Sequence, residues 1–211
     1  MVIVFPPQFG NALLSAGFCL AAGLLVGCSH PVPLAEYRAY LTDPAHGLTQ
    51  TREVNGATVT CTYRPIPLLV QQDLARIAAA TPATHDSLTR TYAGKTYCSL
   101  GLARVGGEIE NSLVTNPTAY QQTLTYLNTG IAADTYLVTT AHDSVPALAS
   151  MYLRQYGTTG QSTILLVFDT SKLIPTNGFH LTFRGQRLGL GTLRFPFTAP
   201  ALAALPELQP Q

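Results

Sequence analysis

The chain has 211 residues, with 12 basic and 11 acidic side chains and a formal net charge of +1. Only 11% of residues are charged, against about a quarter in ordinary globular domains. The basic residues are scattered, which excludes the positive stripe of a nucleic-acid-binding surface. Residues 28–211 suffice for one domain with a real core. Thr and Ser supply much of the polar surface, as is common in exported β-rich proteins. No internal repeat or long low-complexity tract interrupts the chain.

Residues 1–27 contain no Lys, Arg, Asp or Glu, and residues 12–27 are an apolar run. Its length suits a signal peptide and is short for a membrane-spanning helix. The run ends in Leu25-Val26-Gly27-Cys28, with an aliphatic residue three before the cysteine and a small one beside it. This stretch resembles a lipobox, the cleavage and lipidation site of bacterial lipoprotein precursors. The resemblance implies that Cys28 becomes the new amino terminus and that its thiolate takes a diacylglyceryl group. Each buried methylene contributes about 0.8 kcal/mol, so two or more chains anchor stably without a transmembrane helix. Ser29 follows, with no Asp to resemble an inner-membrane retention signal and no acidic cluster like a surface-export signal. The resemblance therefore implies the outer membrane, facing the periplasm. The expected organisation is a signal peptide over 1–27, a tether over 28–33, one globular domain over 34–200 and a tail over 201–211.

Residues 33–42 read as a short helix, with Pro33 suited to its first turn and Leu34, Tyr37 and Leu41 on one face. Asp43-Pro44 ends it. Residues 48–54, Asn55-Gly56 and residues 57–64 read as a β-hairpin, because Asn-Gly supplies the two positive φ angles of a type I′ turn. Ala57, Val59, Cys61 and Tyr63 alternate with Thr58, Thr60, Thr62 and Arg64, so one face is buried and the other wet.

Asp43-Pro44, Gly47-Leu48, the Asn-Gly hairpin and Tyr63-Arg64-Pro65 before an aliphatic helix start resemble a group of uncharacterised bacterial lipoproteins. The resemblance covers residues 37–75 well and the rest loosely. It supports the envelope address and implies no activity.

Residues 68–80 read as a helix with Val70, Leu74 and Ile77 as its apolar stripe. Residues 85–92 read as a second, with Thr84 as cap and Gly94 as terminator. Residues 95–104 are a strand burying Cys98, Leu100 and Leu102. Residues 105–115 are a loop in which Glu108 and Glu110 are expected to be solvated. Asn116, Pro117 and Gly130 punctuate a helix with Tyr120, Leu124 and Leu127 as its buried stripe.

Strands follow at 135–140 and 145–156. The apolar run Ile-Leu-Leu-Val-Phe inside 162–168 suits a central strand covered on both faces. Phe179, Leu181 and Phe183 alternate with polar residues, and Pro196 places a last strand, 193–197, at an edge. The end of the chain, 200–211, reads as a turn of helix and a frayed tail. The pattern predicts about eight strands and three or four short helices. Strand-after-strand order favours a mainly antiparallel α+β fold. A two-layer β-sandwich, immunoglobulin-like, is the first expectation; a single antiparallel sheet with helices on one face is the second.

Cys61 and Cys98 both fall on predicted inward faces. An oxidising compartment permits a disulfide between them, which would contribute roughly 3–4 kcal/mol in the chain-entropy model. The alternative is two separate buried thiols acting as small hydrophobes.

The five histidines, His30, His46, His85, His142 and His180, show no i, i+4 metal-ligand pairing. There is no Gly-x-Ser-x-Gly elbow, no phosphate-cradling glycine spacing and no paired acid/base carboxylates. The ten Tyr and eight Phe mostly follow core periodicity, so they read as core before they read as a sugar or peptide groove. No metal or cofactor is expected. The resulting expectation is a lipid-anchored envelope protein and not an enzyme: a binding or structural module. It would meet the membrane through its anchor and an envelope protein or cell-wall component through a sheet edge or loop face. The alternative is an exported hydrolytic enzyme with a site assembled from distant residues.

Overall fold

The structure, a computed structural model, describes residues 30–105, 107–155, 158–171 and 175–210. The apolar leader and Cys28 lie outside the described residues. Five short α-helices are α1 (Leu34–Thr42), α2 (Ile66–Leu74), α3 (Pro82–Tyr92), α4 (Pro117–Thr125) and α5 (Ala199–Ala203). Nine strands are β1 (Thr49–Val54), β2 (Ala57–Tyr63), β3 (Lys95–Arg104), β4 (Gly107–Glu108), β5 (Thr135–Thr139), β6 (Ser144–Leu153), β7 (Ser162–Asp169), β8 (Phe179–Arg184) and β9 (Thr192–Phe197).

Local chemistry explains most of these boundaries. Asn55 (φ 49°) and Gly56 (φ 71°) form the primed turn between β1 and β2, whose hand matches the strand twist. Thr81 caps α3, accepting from the Thr84 amide, while the Thr84 hydroxyl accepts from the Thr81 amide. Asn116 caps α4 by accepting from the Ala119 amide, with Pro117 at the first position. α2 begins at Ile66 and stops at Leu74, six residues before the expected end. It buries Leu68, Leu69 and Val70, whereas Ile77 is 40% exposed.

The strands run β1-β2-β3-β7-β6-β5-β8-β9, with β4 added to β3. The seven ladders between neighbours on this path are all antiparallel. The sheet curls so far that its two edges meet: this is a nearly closed antiparallel barrel and not a two-layer sandwich. Three contacts bring the edges together. The Arg52 guanidinium lies 5.6 Å from the centre of the Phe195 ring, Gln50 Nε2 donates to the Pro196 carbonyl, and Asn55 Nδ2 donates to the Gly189 carbonyl at 2.7 Å.

β6 accounts for the difference from a sandwich. Residues 144–146 pair with β5, and residues 147–153 pair with β7 after a register shift between Ala147 and Ala149. One strand thus turns the corner between two halves that a sandwich keeps apart; bulges bend and twist a strand in this way. Alternating burial along a strand is common to both architectures, so it does not separate them.

Inward residues fill the barrel. Phe168, Phe183 and Phe195 are fully buried and Phe197 is 1% exposed; each such burial contributes about 1.5–3 kcal/mol. β7 is central, but it is covered on one face only: Ile164, Leu166 and Phe168 are buried while Leu165 and Val167 are half-buried outside. A second small core of Tyr37, Leu41, Leu48 and Leu68 sits under α1. The end of the chain closes it: Val32 N donates to Glu207 O at 2.8 Å and Gln209 N to Val32 O at 2.9 Å, so the segment expected to fray is held. Among the described residues no helix is long and apolar enough to cross a membrane.

Candidate functional site

One end of the barrel opens into a cleft of about 850 Å³, within the usual size of a small-molecule site. Three pieces of chain build it. β3 delivers Arg104, in register with inward-facing Cys98, Leu100 and Leu102. The 3₁₀ turn Ile109–Leu113 and α4, continued by a π-type turn Tyr126–Gly130, form one wall. The tight turn Gly185–Leu188 between β8 and β9 adds Arg187 and Leu188. Gly185 is needed there, because a Cβ would fall 2.7 Å from Leu190 Cβ and 3.2 Å from the Gly191 carbonyl oxygen.

Arg187 is held from two sides. Its guanidinium carbon lies 5.5 Å from the centre of the Tyr126 ring, and its Nε lies 3.7 Å from Asp134 Oδ2. The Tyr126 hydroxyl donates to the same carboxylate oxygen at 2.9 Å. Burial, and then the bond to Asp134, push the Tyr126 hydroxyl well above its ordinary range, so it stays a donor. Among the described residues Arg104 is held by one bond, Nη2 to the Leu188 carbonyl at 3.3 Å, and its Nε is buried without a partner there.

Behind the cleft wall lies a polar group that composition did not foretell. Glu108 and Glu110 are 4% and 1% exposed; they are not the solvated loop acids expected. The Ser162 and Tyr152 hydroxyls each donate to one Glu110 oxygen. The Ile109 amide donates to Ser162 Oγ at 3.0 Å, and Asn111 Nδ2 to Glu108 Oε2 at 3.2 Å. Burial, followed by the bond to Glu110, raises Tyr152 far above the ordinary tyrosine range. The group clamps residues 108–111 onto β6 and β7 and fixes Ile109 as part of the cleft wall. Ser162 has the form of a nucleophile beside an acid, but it is 1% exposed and no histidine is among its hydrogen-bond partners in the described residues.

The residues singled out from sequence lie elsewhere. Cys61 and Cys98 are fully buried on β2 and β3, two residues out of register, since Cys61 faces Leu100 and Cys98 faces Tyr63. Both thiols are free, and burial, followed by the neighbouring Cys98, pushes Cys61 well above the ordinary thiol range. The histidines are dispersed: His46 stacks on Tyr40 at 3.6 Å, while His85 meets Asp86 at 3.6 Å on an exposed face. Among the described residues no three metal-ligating side chains come together. Sequence reasoning missed Arg104 and Arg187. The available signals were the inward register of Arg104 and the glycines at 185, 189 and 191 that bracket Arg187.

No family model matches this chain, and the curated proteins give no match. Among solved structures it is similar to a DUF4426 family protein from Pseudomonas aeruginosa, at 10% identity and a TM-score of 0.30. That likeness covers 71% of this chain and 91% of the other. At this TM-score it decides nothing about fold or function.

Proposed function

We propose that this protein is a lipid-anchored component of the bacterial cell envelope, held at the outer membrane on the periplasmic side, and that its barrel is a binding module. The charge-free leader ending in Leu25-Val26-Gly27-Cys28 supports the anchor. The observation that carries the binding role is the cleft at the barrel end, whose wall is locked from behind by the Glu110–Ser162–Tyr152 group. A pre-formed wall lowers the ordering cost of binding. Catalysis is not favoured, because the buried serine is out of reach of a substrate.

The test places a photo-crosslinking residue at Gln122, on the exposed rim, or at Arg90, on the exposed side of α3 outside the cleft, in living cells. Adducts from position 122 and none from 90 are expected. Equal adducts from both, or none from 122, contradict the reading. Labelling with a fatty acid tests the anchor: wild type incorporates it and Cys28→Ser does not, and equal incorporation defeats the anchor.

A further inference from the structure

The proposal that follows rests on the binding role of the cleft and names its ligand class. Two cleft-lining side chains are charged, Arg104 and Arg187, and none of the lining residues is acidic. Arg104 makes no ion pair with a described residue, and its Nε is buried without a partner. A guanidinium has five donors in a planar fork, and toward the described residues Arg104 uses one of them, on the Leu188 carbonyl. Arg187 is steadied by Tyr126 and Asp134 while its side chain remains 72% exposed. The site therefore holds two oriented forks, one of them incomplete. Planar forks of this kind match the oxygens of a carboxylate or phosphate. Ile109, Leu113 and Leu188 supply apolar wall beside them.

We infer that the cleft takes a small organic anion, a carboxylate or phosphate carried on a short apolar body, with the anionic head on Arg104 and Arg187. The head completes the Arg104 fork, and the body lies along the Ile109–Leu113 wall.

Calorimetric titration of the full chain, purified as it is recovered from cells, tests this with benzoate, phenyl phosphate and neutral benzyl alcohol. At least one anion is expected to bind about tenfold or more tightly than the alcohol. Arg104→Gln and Arg187→Gln are each expected to weaken that anion about tenfold, and Arg90→Gln, which removes the same charge outside the cleft, to leave it unchanged. The comparison of the two anions tells a carboxylate site from a phosphate site. Equal binding of anions and alcohol, or anion binding indifferent to both cleft arginines, overturns the anion assignment and leaves the binding role intact. Absence of binding by all three probes also overturns it; adducts at position 122 then show whether the binding role survives. Should Arg104→Gln not fold, the exposed Arg187→Gln alone decides.

Discussion

Two polar groups sit at the same end of this barrel, and they are finished differently. Glu110 is 1% exposed, and both its oxygens are met from inside, by Ser162 and Tyr152. Among the described residues Arg104 has a buried Nε with no partner and a single bond from its outer nitrogens. A buried polar group left incomplete is costly, and native chains complete nearly all of them. The closed group serves the scaffold. The open one stands where something from outside would complete it.

The largest effect comes from opening the closed group. Glu110→Ala leaves the buried Ser162 hydroxyl and the half-buried Tyr152 hydroxyl without their acceptor and is expected to lower unfolding stability by about 3 kcal/mol, read from urea denaturation. A loss below about 1 kcal/mol would show that the clamp contributes little. Gly130→Ala disturbs the seat of Arg187 instead, since a Cβ would fall 2.7 Å from Tyr126 Cδ2 and displace the ring. The expected cost is about 1 kcal/mol, with affinity for the tighter-binding anion falling roughly threefold. Arg104→Met is the sharpest contrast with Glu110→Ala. It removes an incomplete polar group, so stability should change by less than about 1 kcal/mol while anion binding weakens about tenfold.

The smallest effect lies away from the cleft, at half-buried His180. Burial first, and then Arg194 and His142, hold its imidazole below the ordinary value of 6.5. The unfolded chain therefore takes up more protons as pH falls through that value, and stability drops on the acid side. Urea midpoints at about pH 7.5 and about pH 5.5 should differ slightly more in wild type than in His180→Asn; identical differences would remove His180 from the account.

What the sequence revealed was local. The Asn55-Gly56 turn, the Asn116-Pro117 helix start and the alternation of Phe179, Leu181 and Phe183 depend on neighbouring residues, and the structure has them where those neighbours put them. What it hid was set by distant partners. Glu110 is buried because Tyr152 and Ser162, 42 and 52 residues further on, supply its donors. The barrel is nearly closed because β6 divides its pairing between β5 and β7, and no period-two pattern encodes that. The run Ile-Leu-Leu-Val-Phe misled for a related reason: whether its outward Leu165 and Val167 are covered depends on distant elements, and they stay half-buried. Arg187 looked like one more scattered cation until the glycine turn placed it opposite Tyr126.

The most direct measurement is nitrogen-15 NMR of the Arg104 Nε–H group, assigned through Arg104→Gln, with benzyl alcohol and the tighter-binding anion of benzoate and phenyl phosphate added separately. The anion is expected to shift this resonance and slow its exchange with water, the alcohol to do neither, and the Asn111 side-chain amide of the closed group to be unaffected by both. An Arg104 signal that stays in place while that anion binds would contradict the claim that this guanidinium is completed by an anion.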